Sequence, residues 1–134
     1  MNNLTAQELI YKHMFVEAYH ASDDINFTDY SDFISYENLW EALKSKINSD
    51  ICYLIEYETR YGMETNLHPK TSSRHYEIDV HAMQVDGIWV AWDYYYGGGE
   101  HGEPEAFDWI SNARIVECEE KVVTKIEYKF KEVK

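Results

Sequence analysis

The dipeptide Asp86-Gly87, set between RHYEIDVHAMQV and IWVAWDYYY, constrains this chain more than any other feature. A two-residue hairpin turn needs positive φ at its centre, and Asp-Gly supplies it at low cost. The flanking runs alternate with period two, so strands are predicted over 74–85 and 88–96. A two-residue turn also fixes the register. Val85 faces Ile88, Met83 faces Val90, His81 faces Trp92, Asp79 faces Tyr94 and Glu77 faces Tyr96. One sheet face then carries His75, Glu77, Asp79 and His81 beside Trp92, Tyr94 and Tyr96. The other carries Tyr76, Ile78, Val80 and Ala82 against Trp89, Ala91 and Tyr95. The second face reads as the core and the first as an exposed row. Asp93 intrudes on the core face and is expected near an edge.

Upstream, the period is helical. Thr5 and Glu8 have capping-box spacing, with Leu4 and Leu9 placed for a hydrophobic staple, so a helix is predicted to about Ala21. Its apolar side is read as Leu9, Ile10, Met14, Val16 and Ala18, and Glu8 and Lys12 form an i,i+4 pair. Residues 22–34 read as an acidic loop with aromatic anchors. Ser35 caps a second helix with Leu39, Trp40, Leu43 and Ile47 at helical spacing. From Ile51 to Tyr61 the pattern Ile51, Tyr53, Ile55, Tyr57, Thr59, Tyr61 alternates, and a strand is predicted. After the hairpin, Pro104 is placed to open a short helix. Residues 114–120 and 122–133 read as strands, with Ile126, Tyr128 and Phe130 alternating with charges. The expected architecture is a single α+β domain over 1–134: two N-terminal helices on a mostly antiparallel sheet of about four to five strands, with a short helix after the glycine-rich loop.

Charge narrows the function. The chain has 134 residues, 45% of them hydrophobic, with 12 Lys and Arg against 25 Asp and Glu, a net of −13. Residues 114–134 hold six basic and five acidic residues; residues 1–113 hold six and 20, a net of −14. Between His13 and Leu43 there is no Lys or Arg, while Glu17, Asp23, Asp24, Asp29, Asp32, Glu37 and Glu41 supply seven acids. Such a surface repels nucleic acid and anionic membrane and attracts basic partners. The plain alternative is solubility alone. Cys52 and Cys118 fit no metal or redox spacing and read as free thiols in a reducing compartment. The N-terminal stretch lacks a secretory pattern and no run approaches a membrane span, so a cytoplasmic location is expected.

Motif chemistry is sparse. Gly97, Gly99 and Gly102 match G-x-G-x-x-G in form. Glu100, Glu103 and Glu105 would repel a phosphate there, and the preceding strand belongs to a hairpin instead of a βαβ unit. His101-Gly102-Glu103 matches half of a zinc-deaminase motif, but the paired cysteines are missing. Glu17-x-x-His20 on the first helix, with His13 a turn earlier, lacks the second motif of a two-metal site. No catalytic residue, metal or cofactor is therefore assigned. The glycine run reads as a corner, with Phe107 and Trp109 docking the segment after it.

Two functions are expected from these residues. The first is a small acidic interaction protein: an inhibitor or decoy that binds a basic, nucleic-acid-handling protein. Its contact residues would be Asp23, Asp24, Asp29, Asp32, Glu37, Glu41, Glu100, Glu103 and Glu105, with carboxylates imitating phosphates. Phage anti-restriction and anti-CRISPR proteins and toxin immunity proteins use this logic; the analogy rests on size and charge, with no shared motif. The second is a small-ligand-binding domain or enzyme using His75, Glu77, Asp79, His81, Trp92, Tyr94, Tyr96 and His101.

Overall fold

A computed structural model describes residues 4–21 and 35–133. It is an α+β fold of three helices and a four-stranded antiparallel sheet. The helices are α1 (Ala6–Ala21), α2 (Tyr36–Lys44) and α3 (Ser49–Tyr61); the strands are β1 (Met63–Glu64), β2 (Glu77–Val85), β3 (Ile88–Tyr96) and β4 (Arg114–Val116). The sheet order is β1-β2-β3-β4.

Helix α1 starts where its cap predicts. Thr5 Oγ1 accepts the Glu8 N–H at 3.1 Å. Glu8 and Lys12 then work across elements and not with each other. The Glu8 carboxylate accepts the Tyr36 N–H at 2.8 Å, tying the start of α1 to the start of α2. Lys12 pairs with Asp86 in the hairpin turn. The buried side is Ala6, Leu9, Ile10, Met14, Phe15 and Ala18, so Phe15 takes the place expected for Val16, which is 37% exposed. In α2 the Ser35 side chain accepts the Asn38 N–H, and Leu39, Trp40 and Leu43 are buried.

The largest correction is residues 51–61, which form α3 and not a strand. Its buried residues are Cys52, Thr59 and Arg60, with Ile55 and Glu56 half-buried. Those positions fall at i, i+3, i+4, i+7 and i+8, a helical stripe that polar residues disguise. Asn48 caps the start by accepting the Asp50 N–H at 2.7 Å, and Gly62 ends the helix at φ +49. The alternating tyrosines Tyr53, Tyr57 and Tyr61 point to the exposed side instead.

The hairpin has the predicted register pair for pair, from Val85↔Ile88 to Glu77↔Tyr96. Asp86 and Gly87 both have positive φ, 52 and 80. The faces are assigned the other way round. The helices pack on the face carrying Val85, Val90 and Trp92, which join Leu9, Ile10, Met14, Trp40 and Leu43 in the main core. The reason lies near the turn, where this face holds Met83, Val85, Val90 and Trp92, a block apolar enough to take the helices. The polar end of the same row, His75 to Asp79, stays exposed. The opposite face has a smaller cluster of Val80, Ala82 and Ala91, with Trp89 and Val116 against it.

Asp93 lies on that second face and is fully buried. Its Oδ2 accepts the N–H groups of Lys70 and Thr71 at 2.9 and 2.8 Å and the Thr71 hydroxyl at 2.6 Å. Its Oδ1 meets Arg114 at 3.2 Å. The aspartate therefore pins the 65–76 loop over the sheet, and its charge is met by four donors.

Gly97, Gly98 and Gly99 have φ of 80, 84 and 78, a left-handed run that turns the chain back over the sheet edge. Pro104 opens a single 3-10 turn, Pro104–Ala106, at the place expected for a short helix. Trp109 packs on Trp92 with ring centres 5.1 Å apart, and Phe107 stacks on Tyr95 at 4.5 Å. Of the strands expected over 114–120 and 122–133, only Arg114–Val116 pairs among the described residues; residues 117–133 have no regular element and are exposed. No described helix is long and apolar enough to cross a membrane.

Candidate functional site

The helix-side surface around α2 and α3 gathers acids and aromatics. Tyr53 and Tyr57, one turn apart on α3, are 65% and 55% exposed and lie stacked with centres 6.3 Å apart. They line a groove of about 310 Å³ with Glu56, Arg60, Glu105 and Trp109. A second groove, about 170 Å³, continues from it through Glu56 and Trp109 to Tyr11, Trp40, Glu41 and Lys44. Helical spacing accounts for the acids: Glu37 and Glu41 are one turn apart on α2 and both exposed.

The Tyr11 phenol registers this charge. Burial pushes its pKa up to about 12, and Glu37, Asp108, Glu41 and Glu8 push in the same direction. Four carboxylates from α1, α2 and the 104–113 segment therefore act on one side chain. Lys44 meets Glu56 at 3.1 Å and offsets part of the field. Arg60 is the other cation, held 4.3 Å over the Tyr94 ring with its guanidinium donating to the Tyr95 carbonyl. It is 7% exposed, so its charge sits at the floor while the acids stand at the rim.

The residues predicted to touch a partner divide into three groups. Asp23, Asp24, Asp29 and Asp32 lie outside the described residues. Glu105 lines the first groove and Glu41 the second, with Glu37 one turn before Glu41 on α2. Glu100 and Glu103 stay exposed on the glycine loop, where the Glu103 N–H donates to the Tyr76 hydroxyl at 3.0 Å. Tyr11, Tyr53, Glu56, Tyr57, Arg60 and Trp109 were missed as site residues. The signal for the tyrosines was their i,i+4 spacing, which alternation overrode.

The His75–His81 row is not one continuous surface. His81 is 2% exposed; its Nδ1 lies 2.5 Å from the Tyr61 carbonyl oxygen, and its ring stacks on Tyr94 at 3.9 Å. Trp92 is fully buried and donates to the Arg60 carbonyl. These residues join α3 to the sheet. His75, Glu77, Asp79 and Tyr96 remain exposed. The Tyr96 phenol is pushed up by desolvation and then by Asp79 and Glu77. His101 is exposed at the loop tip. Among the described residues, no group of three or more His, Cys, Asp or Glu is placed to hold a metal ion.

The chain matches no protein-family model, no curated protein and no solved structure.

Proposed function

We propose that the α2–α3 surface is a docking site for a basic protein, and that the chain acts as an inhibitor or decoy of a nucleic-acid-handling partner. The observation that carries this reading is the juxtaposition of Glu41, Glu56 and Glu105 with the exposed rings of Tyr53 and Tyr57 along two continuous grooves. Carboxylates at a rim steer a cationic partner and set the association rate. Tyrosines supply large contact area at low conformational cost and act as hot spots where water is excluded. The Tyr53 and Tyr57 rings stack with centres 6.3 Å apart and together offer one apolar face. The net of −14 over residues 1–113 extends the attraction beyond the groove.

The test is capture from a cell extract on the immobilised chain, at low and high salt, followed by competition with duplex DNA. The expected result is a basic protein that releases with salt and is displaced by DNA. A captured protein that DNA leaves in place contradicts the decoy reading.

A further inference from the structure

Residues 117–133 present an apolar row that nothing else in the described chain covers. Ile126, Tyr128 and Phe130 are 80%, 79% and 91% exposed. The row alternates with Lys125, Glu127, Lys129 and Lys131, the pattern of a strand with one buried face. The segment cannot extend the sheet of its own chain. β4 pairs with β3 as Val116↔Trp89, Ile115↔Val90 and Arg114↔Ala91. Continuing that register brings Glu117 opposite Ile88 and then runs past the Asp86-Gly87 turn. A straight continuation at about 3.3 Å per residue would carry the remainder roughly 50 Å beyond the hairpin; in the structure Glu117, Cys118, Glu119 and Lys121 line a groove with Met63, Leu67 and Trp89. Among the described residues β4 is also the last strand of the sheet, and no strand pairs with its outer edge.

We propose that the occupant of that edge is the same segment of a second copy, paired antiparallel about a two-fold axis at Thr124. The register follows from charge. With Thr124 opposite itself, Glu117 faces Lys131, Glu119 faces Lys129 and Lys121 faces Glu127. Every charged pair on that face with both members ionic is then opposite in sign, and symmetry repeats each one. Directly opposed unlike charges stabilise a strand pair and like charges oppose it. A shift of the pairing by one residue in each chain places Lys125 opposite Lys125 and Lys121 opposite Lys129, or Lys121 opposite Lys125 and Glu119 opposite Glu127. On the apolar face Val122 meets Ile126, and the half-exposed Ile115 of β4 meets Val133 on the other.

The paired segments join two four-stranded sheets into one. Val122, Ile126, Tyr128 and Phe130 of each copy then continue the face of Val116 and Trp89, extending the small second cluster. Charge balance agrees: residues 114–134 are net +1, so two arms meet without the repulsion that the −14 bodies would impose. This pairing is independent of the acidic grooves. It is isologous and closes at two copies.

The test uses Thr124→Cys in a Cys118→Ser background of the full chain. Cα atoms of directly opposed antiparallel residues lie about 4.5–5.5 Å apart, within disulfide reach. Mild oxidation is expected to link Thr124→Cys into a covalent dimer at least tenfold faster than Val123→Cys, whose opposite residue is Lys125. The unmodified chain is expected to sediment as a dimer. Glu119→Lys alone weakens the dimer, and adding Lys129→Glu restores it. Equal linking rates at 123 and 124, or a chain that sediments as a monomer at every concentration, would overturn the proposal.

Discussion

The indole N–H of Trp92 donates to the backbone carbonyl of Arg60 across 2.8 Å, so the centre of β3 is bolted to the last turn of α3. The Arg60 side chain returns the connection by donating to the Tyr95 carbonyl and covering the Tyr94 ring. Among the described residues its Nε has no hydrogen-bond partner, so the guanidinium is held by one face and one end. Arg60→Ala removes both the packing and the donor and is expected to lower stability by about 2–3 kcal/mol. Arg60→Lys is expected to recover less than half of that, because an ammonium cannot lie flat on the ring while reaching the carbonyl. Urea unfolding of the three proteins measures both.

Asp93 tests what holds the second face. Asp93→Ala leaves two loop N–H groups and a guanidinium without their acceptor. Removing one partner of a buried ionic network costs about 3–5 kcal/mol. Amide exchange at Lys70 and Thr71 is expected to accelerate far more than at Val90 in the main core. Unchanged protection at those two amides would mean that the loop is held by something else.

The glycines differ in what surrounds them, and their alanine variants separate accordingly. A Cβ on Gly62, at φ +49, meets the Ala82 carbonyl oxygen at 2.5 Å and the Trp92 ring at 3.1 Å. A Cβ on Gly99, at φ +78, meets nothing within 4 Å. Gly99→Ala is expected to cost about 1 kcal/mol, the conformational term alone. Gly62→Ala adds a backbone clash at the α3–sheet junction and is expected to lower the melting temperature several times as far.

His13 sets a pH dependence. Burial lowers its pKa below the usual 6.5, against the opposing pull of Glu17. The folded state therefore favours the neutral ring more than the unfolded state does. That contribution is complete above 6.5 and is lost as pH falls through the folded value. His13→Gln is expected to flatten the loss of stability between neutral pH and pH 5. Denaturant midpoints across that interval check it, and parallel slopes for the two proteins would count against the assignment.

The turn and register of the hairpin were legible because Asp86-Gly87 fixes both by local chemistry. Helices α1 and α2 were legible because their caps, Thr5 and Ser35, act on neighbours three residues away. α3 was not, because its buried stripe includes Glu56, Thr59 and Arg60, which pack by tertiary partners such as Tyr94 and Tyr95 that no local pattern reveals. The face of the hairpin was misassigned for a related reason. Both faces carry apolar and polar residues, and only the helices' position over Val85 and Trp92 decides between them. Of the acidic site, Glu37, Glu41 and Glu105 were found from charge; Tyr53 and Tyr57 were hidden by the strand reading.

Association kinetics test the docking surface most directly. The partner captured on the chain is passed over wild type, a Glu37→Gln, Glu41→Gln, Glu105→Gln variant and a Tyr53→Ala, Tyr57→Ala variant at rising salt. Screening acts within a Debye length of ~10 Å at 0.1 M, so rim carboxylates should govern approach, and the exposed tyrosine rings, covered on docking, should govern departure. The predicted result is a slower, less salt-dependent association for the charge variant and a faster dissociation for the tyrosine variant. Wild-type rates in both variants would contradict the account.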